Sequence, residues 1–66
     1  MSRKAEILEA IKKMENHAKS NPDKGFQSSE EASTYVSLRM EHWGSNLIGW
    51  VVERGGRFFP CFNVWD

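Results

Sequence analysis

The stretch from Asn46 to Trp65, NLIGWVVERGGRFFPCFNVW, limits what this chain can fold into more than any other. Two runs rich in Ile, Val, Trp and Phe flank Gly55-Gly56, and paired glycines between strand-forming runs mark a β-hairpin turn. Large apolar side chains fall at both odd and even positions, so both faces of the ribbon are greasy. An isolated two-stranded hairpin is marginal in water and needs something packed against it. The segment before Asn46 can cover one face, which leaves Phe59, Trp65 and their neighbours to be covered, or the sheet to be continued, by a second molecule.

Two turn lengths compete. A two-residue turn sets Arg54 opposite Arg57, a like-charge pair that destabilises a ladder. A three-residue turn, Arg54-Gly55-Gly56 with a glycine bulge, pairs Glu53 with Arg57 instead. That register places Ile48, Trp50, Val52, Phe58, Pro60, Phe62 and Val64 on one face. Leu47, Gly49, Val51, Glu53, Arg57, Phe59, Cys61, Asn63 and Trp65 then share the other. It separates polar from apolar better, so it is the expected one. Pro60 has no N–H to give, which puts an edge or a local irregularity in the second strand.

Ahead of the hairpin, Ile7, Leu8, Ile11, Met14 and Ala18 repeat at helical spacing, with Glu9, Lys12, Lys13 and Asn16 on other faces. Ser2 is the candidate N-cap, and Asn21-Pro22 stops the helix, because a residue before proline disfavours the helical region. The expected helix covers about residues 2–20. Glu9 and Lys13 form an i,i+4 pair in the favourable order.

A polar turn with Pro22, Asp23 and Gly25 follows. Ser28 and Glu31 then have the spacing of a capping box, with Phe26 ahead of them where a hydrophobic staple would sit. Ala32, Tyr35, Val36, Met40 and Trp43 keep helical spacing, and Gly44 suits a left-handed terminating residue. A second helix is therefore expected over about 29–43. A strand over Tyr35–His42 is the competing reading, since Val36, Leu38 and Met40 alternate. It explains fewer apolar positions and neither end signal. The fold expected is one small α+β domain over residues 1–66, order α-α-β-β, with an α-β-β-β meander as the alternative.

So short a chain buries a modest share of its surface, and small scaffolds lean on disulfides, metals or a second subunit. Cys61 is the single cysteine, so no internal disulfide can form. His17, His42 and Cys61 lack the close spacings of a zinc site, and neither a metal nor a cofactor is expected. Oligomerisation is the remaining staple. A mid-strand cysteine behaves as a small hydrophobe with an inert thiol, and Glu30, Glu31 and Glu41 suit helix capping and solvated surface. Glu53-Arg54-Gly55-Gly56-Arg57 matches no phosphate-binding loop. An enzyme is not expected.

Formal net charge is zero, which gives no global pull toward nucleic acid or an anionic membrane. Glu6 and Glu9 interrupt the apolar character of the N-terminal segment, so it does not read as a signal peptide. No run reaches membrane-spanning length. A cytoplasmic location is the default.

The residue types are unevenly placed. Every lysine lies at or before Lys24, and every aromatic at or after Phe26, together with Arg39, Arg54 and Arg57. Interface cores are enriched in Trp, Tyr, Phe, Met and Arg and depleted in Lys. The same distribution also fits aromatics filling a core while lysines dress a solvated helix. The function expected is a non-enzymatic protein-binding module, self-associating as a homodimer or docking as a regulator or inhibitor on a larger protein. Its partner-binding residues are Trp43, Trp50, Arg54, Arg57, Phe59 and Trp65. The alternative is a nucleic-acid-binding protein that stacks bases on the tryptophans and meets phosphates through Arg39, Arg54 and Arg57. Three arginines supply little of the phosphate neutralisation on which such binding rests.

Overall fold

Ser28 opens the best-specified element. Its side chain accepts the Glu31 N–H at 3.1 Å in extended backbone geometry, capping a helix over Ser29–Trp43 (α2). A computed structural model describes residues 3–65, and within it α2 follows α1 (Arg3–Glu15) and precedes β1 (Leu47–Arg54) and β2 (Arg57–Val64). The order is α-α-β-β, and residues 35–42 are helical, which removes the meander alternative. Ser2, the candidate cap of α1, lies outside the described residues. Glu31 departs from a full capping box, because its carboxylate accepts from Ser20 Oγ at 2.9 Å. Gly44 ends α2 with its N–H on Met40 O, at φ 105° and ψ −95°. The φ is positive as expected, but the ψ lies outside the left-handed helical basin.

α1 stops at Glu15, short of the expected end near residue 20. The Asn16 N–H still reaches Lys12 O, but the next bond, His17 N to Met14 O, is a tighter turn. From there tertiary contacts take over. Ser20 is buried, donates to Glu31, and accepts the Gln27 N–H at 3.1 Å. Asn21 Nδ2 donates to His17 O and Lys24 Nζ to Ala18 O. Arg57 takes the Lys19 carbonyl. Ala18 is exposed rather than part of a helical stripe.

The hairpin register also differs from expectation. Gly55 (φ 60°) and Gly56 (φ 80°) form a two-residue turn with both residues at positive φ, the arrangement whose twist suits a hairpin. Arg54 does face Arg57, and Glu53 faces Phe58. The like charges do not meet because the Arg57 guanidinium turns away, donating to the carbonyls of Lys19, Lys24 and Gly25. With this register Phe58, Pro60 and Phe62 share a face with Gly49 and Val51, whereas Trp50 shares one with Val52, Phe59 and Cys61. The expected faces are therefore exchanged on one strand relative to the other.

Phe26 fills a larger role than a staple. It exchanges both backbone hydrogen bonds with Phe58 and adds a one-residue third rung at the outer edge of β2. Its ring is 1% exposed and lies 5.3 Å from that of Tyr35. The core gathers Ile7, Ile11, Phe26, Ala32 and Tyr35, backed by Met14, Leu38, Val51, Phe58 and Phe62. α1 packs on α2, and α2 on both strands. A Cβ at Gly49 would lie 2.6 Å from Val36 Cγ1, so the missing side chain is what lets α2 sit this close to β1. The molecule measures 36 × 29 × 16 Å. Sixteen ångströms holds one helical layer on one sheet layer, and on the sheet's far side, among the described residues, only the 19–25 loop reaches in, against Arg57 and Phe59.

Candidate functional site

That far side is the candidate site. Cross-strand partners share a face, so opposite α2 lie Ile48, Trp50 with Cys61, Val52 with Phe59, and Arg54 at the turn. Val52, Arg54, Phe59 and Cys61 line one shallow depression there. Ile48 is 49% exposed and Trp50 46%, large values for apolar residues in mid-strand. Phe59 is half-buried, because its ring reaches the neighbouring loop where Gly25 leaves room for it.

At the open end of the hairpin, Asn46 joins two more tryptophans. Trp43 Nε1 donates to Asn46 Oδ1 at 3.1 Å, and Asn46 Nδ2 donates to Trp65 O at 2.9 Å. The Trp65 N–H returns to Asn46 O at 3.0 Å. Asn46 sits at φ 57°, a conformation Asn tolerates better than most residues. The clamp fixes the end of α2 to the end of β2 and leaves Trp43 54% and Trp65 51% exposed. Of the expected partner-binding residues, Trp43, Trp50, Arg54 and Trp65 are exposed and Phe59 lies on the same face as Trp50.

Arg57 is differently placed. Its Nε donates to Lys24 O at 3.2 Å and its Nη2 to Gly25 O at 2.8 Å, besides the Lys19 bond. Its guanidinium thus braces the 19–25 loop. Arg39 is engaged as well. It pairs with Glu15 at 3.0 Å, donates to the Tyr35 hydroxyl, and lies 5.4 Å from the Phe62 ring centre. It faces the helical side of the sheet while Arg54 lies on the other, so the three arginines form no common patch.

Ile48, Val52 and Cys61 also belong to the outer face, and sequence reading did not include them. The wrong register hid Ile48 and Val52, since it set them on the face opposite Phe59, whereas Cys61 already shared that face and was read only as a small inert hydrophobe. Asn46 was missed too. Its only signal was an Asn two residues past the helix-terminating glycine.

A second polar feature lies between α1, α2 and β2. The Tyr35 hydroxyl donates to Glu15 Oε2 at 2.6 Å, beside the Arg39 pair. Burial, and then that hydrogen bond, push the Tyr35 pKa up to about 12. A phenol held neutral this firmly gives no acid or base near pH 7. His17 is exposed after α1, His42 lies in the last turn of α2, and Cys61 is on β2. Among the described residues no three His, Cys, Asp or Glu side chains come together as a metal site. Nor is any described helix long and apolar enough to cross a membrane.

No protein-family model matches this chain, and neither a curated protein nor a solved structure resembles it closely enough to count as a match.

Proposed function

We propose that this chain is a small non-enzymatic protein-binding module of the cytoplasm that self-associates, and whose size suits a regulator or inhibitor of a larger protein. The outer hairpin face and the Trp43–Trp65 end are its working surface. The observation that carries this reading is the row of half-exposed Ile48 and Trp50 in mid-strand, continued by Trp43 and Trp65. Large apolar side chains exposed together on one face support an interaction site, and tryptophan is prominent among binding hot spots. The engagement of Arg39 and Arg57 within the chain weighs against the nucleic-acid alternative.

The test is solution molar mass across a range of protein concentrations, with parallel titrations of single-stranded and duplex DNA and RNA at low and high salt. Mass that rises with concentration, and no salt-sensitive nucleic-acid signal, supports the module. Salt-sensitive binding of nucleic acid by a monomer overturns it.

A further inference from the structure

We infer that the free edge of β1 pairs with β1 of a second copy, joining two hairpins into one antiparallel four-stranded sheet. The phase of the hydrogen bonds identifies the edge. Phe58 exchanges its bonds with Phe26 on the outside of β2, and Trp65 bonds Asn46 on the inside. Alternation then directs the N–H and C=O of Asn46, Ile48, Trp50, Val52 and Arg54 toward β2. Those of Leu47, Gly49, Val51 and Glu53 point away from the hairpin. Among the described residues no hydrogen bond closes that outward set.

The two edges are not equivalent. β2 presents Phe58, Pro60, Phe62 and Val64 outward, but Phe58 is occupied by Phe26 and Pro60 lacks an N–H. β1 carries no proline, no lysine and no bulge across its pairing with β2, and its charged residues, Glu53 and Arg54, are confined to the turn end. Natural edge strands are normally blunted by one of those devices, and an edge without them is a template for another strand.

β1 complements itself. With a two-fold axis at Trp50, Gly49 pairs with Val51 of the second copy and Leu47 with its Glu53, so every outward donor and acceptor finds a partner. Trp50 faces its own counterpart at a non-hydrogen-bonded position, where side chains approach closest, and Ile48 faces Val52. No like charges stand opposite one another, and the zero net charge sets up no overall repulsion between copies. The axis leaves both α2 helices on the same side of the sheet. Tyr35 and Arg39 of α2 lie against Phe62 of β2 and Val36 against Gly49 of β1, so helical spacing turns the short, exposed Ser33 and Ser37 toward that edge.

This assembly rests on the self-association part of the reading above, and the experiment separates the two. Amide hydrogen exchange of the unmodified chain is followed from micromolar to millimolar concentration, alongside molar mass. The amides of Trp50 and Val52, already bonded within the hairpin, serve as the reference. Exchange at Gly49 and Val51 should slow by about tenfold or more as dimer forms. In a Cys61→Ser background, Trp50→Cys should give a disulfide-linked dimer under mild oxidation and Val52→Cys should not, because only residue 50 meets itself across the axis. A dimer with Gly49 and Val51 still exchanging freely overturns the edge pairing while the self-association reading stands. A monomer at every concentration overturns both.

Discussion

Arg57 donates to the Gly25 carbonyl at 2.8 Å, and with its bonds to Lys19 and Lys24 it ties the hairpin to the loop behind α1. A net hydrogen bond involving a charged group contributes about 1.5–3 kcal/mol, and half-exposure lowers that here. Because the Arg57 guanidinium turns away, facing Arg54 across the turn costs less than the about 0.2–1 kcal/mol of directly opposed like charges. Arg57→Ala should therefore destabilise the chain by about 2 kcal/mol in urea unfolding. Arg57→Lys should recover little of this, because the single nitrogen of an ammonium cannot stand at both the Nε and Nη2 positions that hold these carbonyls. Arg54→Ala should be neutral or slightly stabilising. Equal losses at both arginines would contradict the bracing role.

Gly49 and Val36 are a second coupled pair. Adding a methyl at Gly49 brings it within 2.6 Å of Val36 Cγ1 and 2.9 Å of Phe62 Cε1, closer than carbon atoms tolerate. Overpacking of this kind costs about 1–3 kcal/mol. Gly49→Ala should lower the melting temperature accordingly, and adding Val36→Ala should return part of the loss. A double-mutant cycle with no coupling would mean that α2 does not rest on Gly49.

Tyr35 gives a pH signature. Its pKa rises from 10.0 to about 12 in the folded chain, first through burial and second through donation to Glu15. Between those values the unfolded chain releases the phenolic proton and the folded chain keeps it, so stability falls as pH climbs. The contribution is complete below pH 10 and gone above about pH 12. Urea unfolding should lose on the order of 1–2 kcal/mol across that window. Tyr35→Phe should cost about 1 kcal/mol at neutral pH and flatten the alkaline slope. A variant with the same slope as the parent would assign it to other groups.

The sequence made α2 legible because both of its ends are written locally, as Ser28 three residues before Glu31 and as Gly44. The end of α1 is not written that way. Ala18 and Lys19 continue a helical pattern, and what stops it is Ser20 reaching Glu31 and Arg57 reaching Lys19, contacts made across the fold. The register failed for the same reason. The Arg54–Arg57 repulsion is visible in the sequence, while the three distant carbonyls that draw Arg57 away are not. The tryptophans of the outer face could be named from composition, but their company on it depended on that register.

The outer face offers the last prediction, and its residues should not all behave alike. The Trp65 backbone is held by Asn46 while half of its side chain is in solvent, so Trp65→Ala should change stability by no more than about 0.5 kcal/mol. Trp50→Thr keeps strand propensity and should behave similarly. Trp50→Thr should weaken self-association by about 2 kcal/mol, the size of a hot-spot loss, and Trp65→Ala by less because it lies beyond β2, both with the helical circular-dichroism signal intact. Phe59 differs because its ring fills the space over Gly25 and is half-buried. Phe59→Glu should cost stability as well as association. Sedimentation and thermal melts on the three variants separate these effects. If Trp65→Ala and Trp50→Thr unfold the chain as Phe59→Glu does, the tryptophans are structural and the surface is not a docking site.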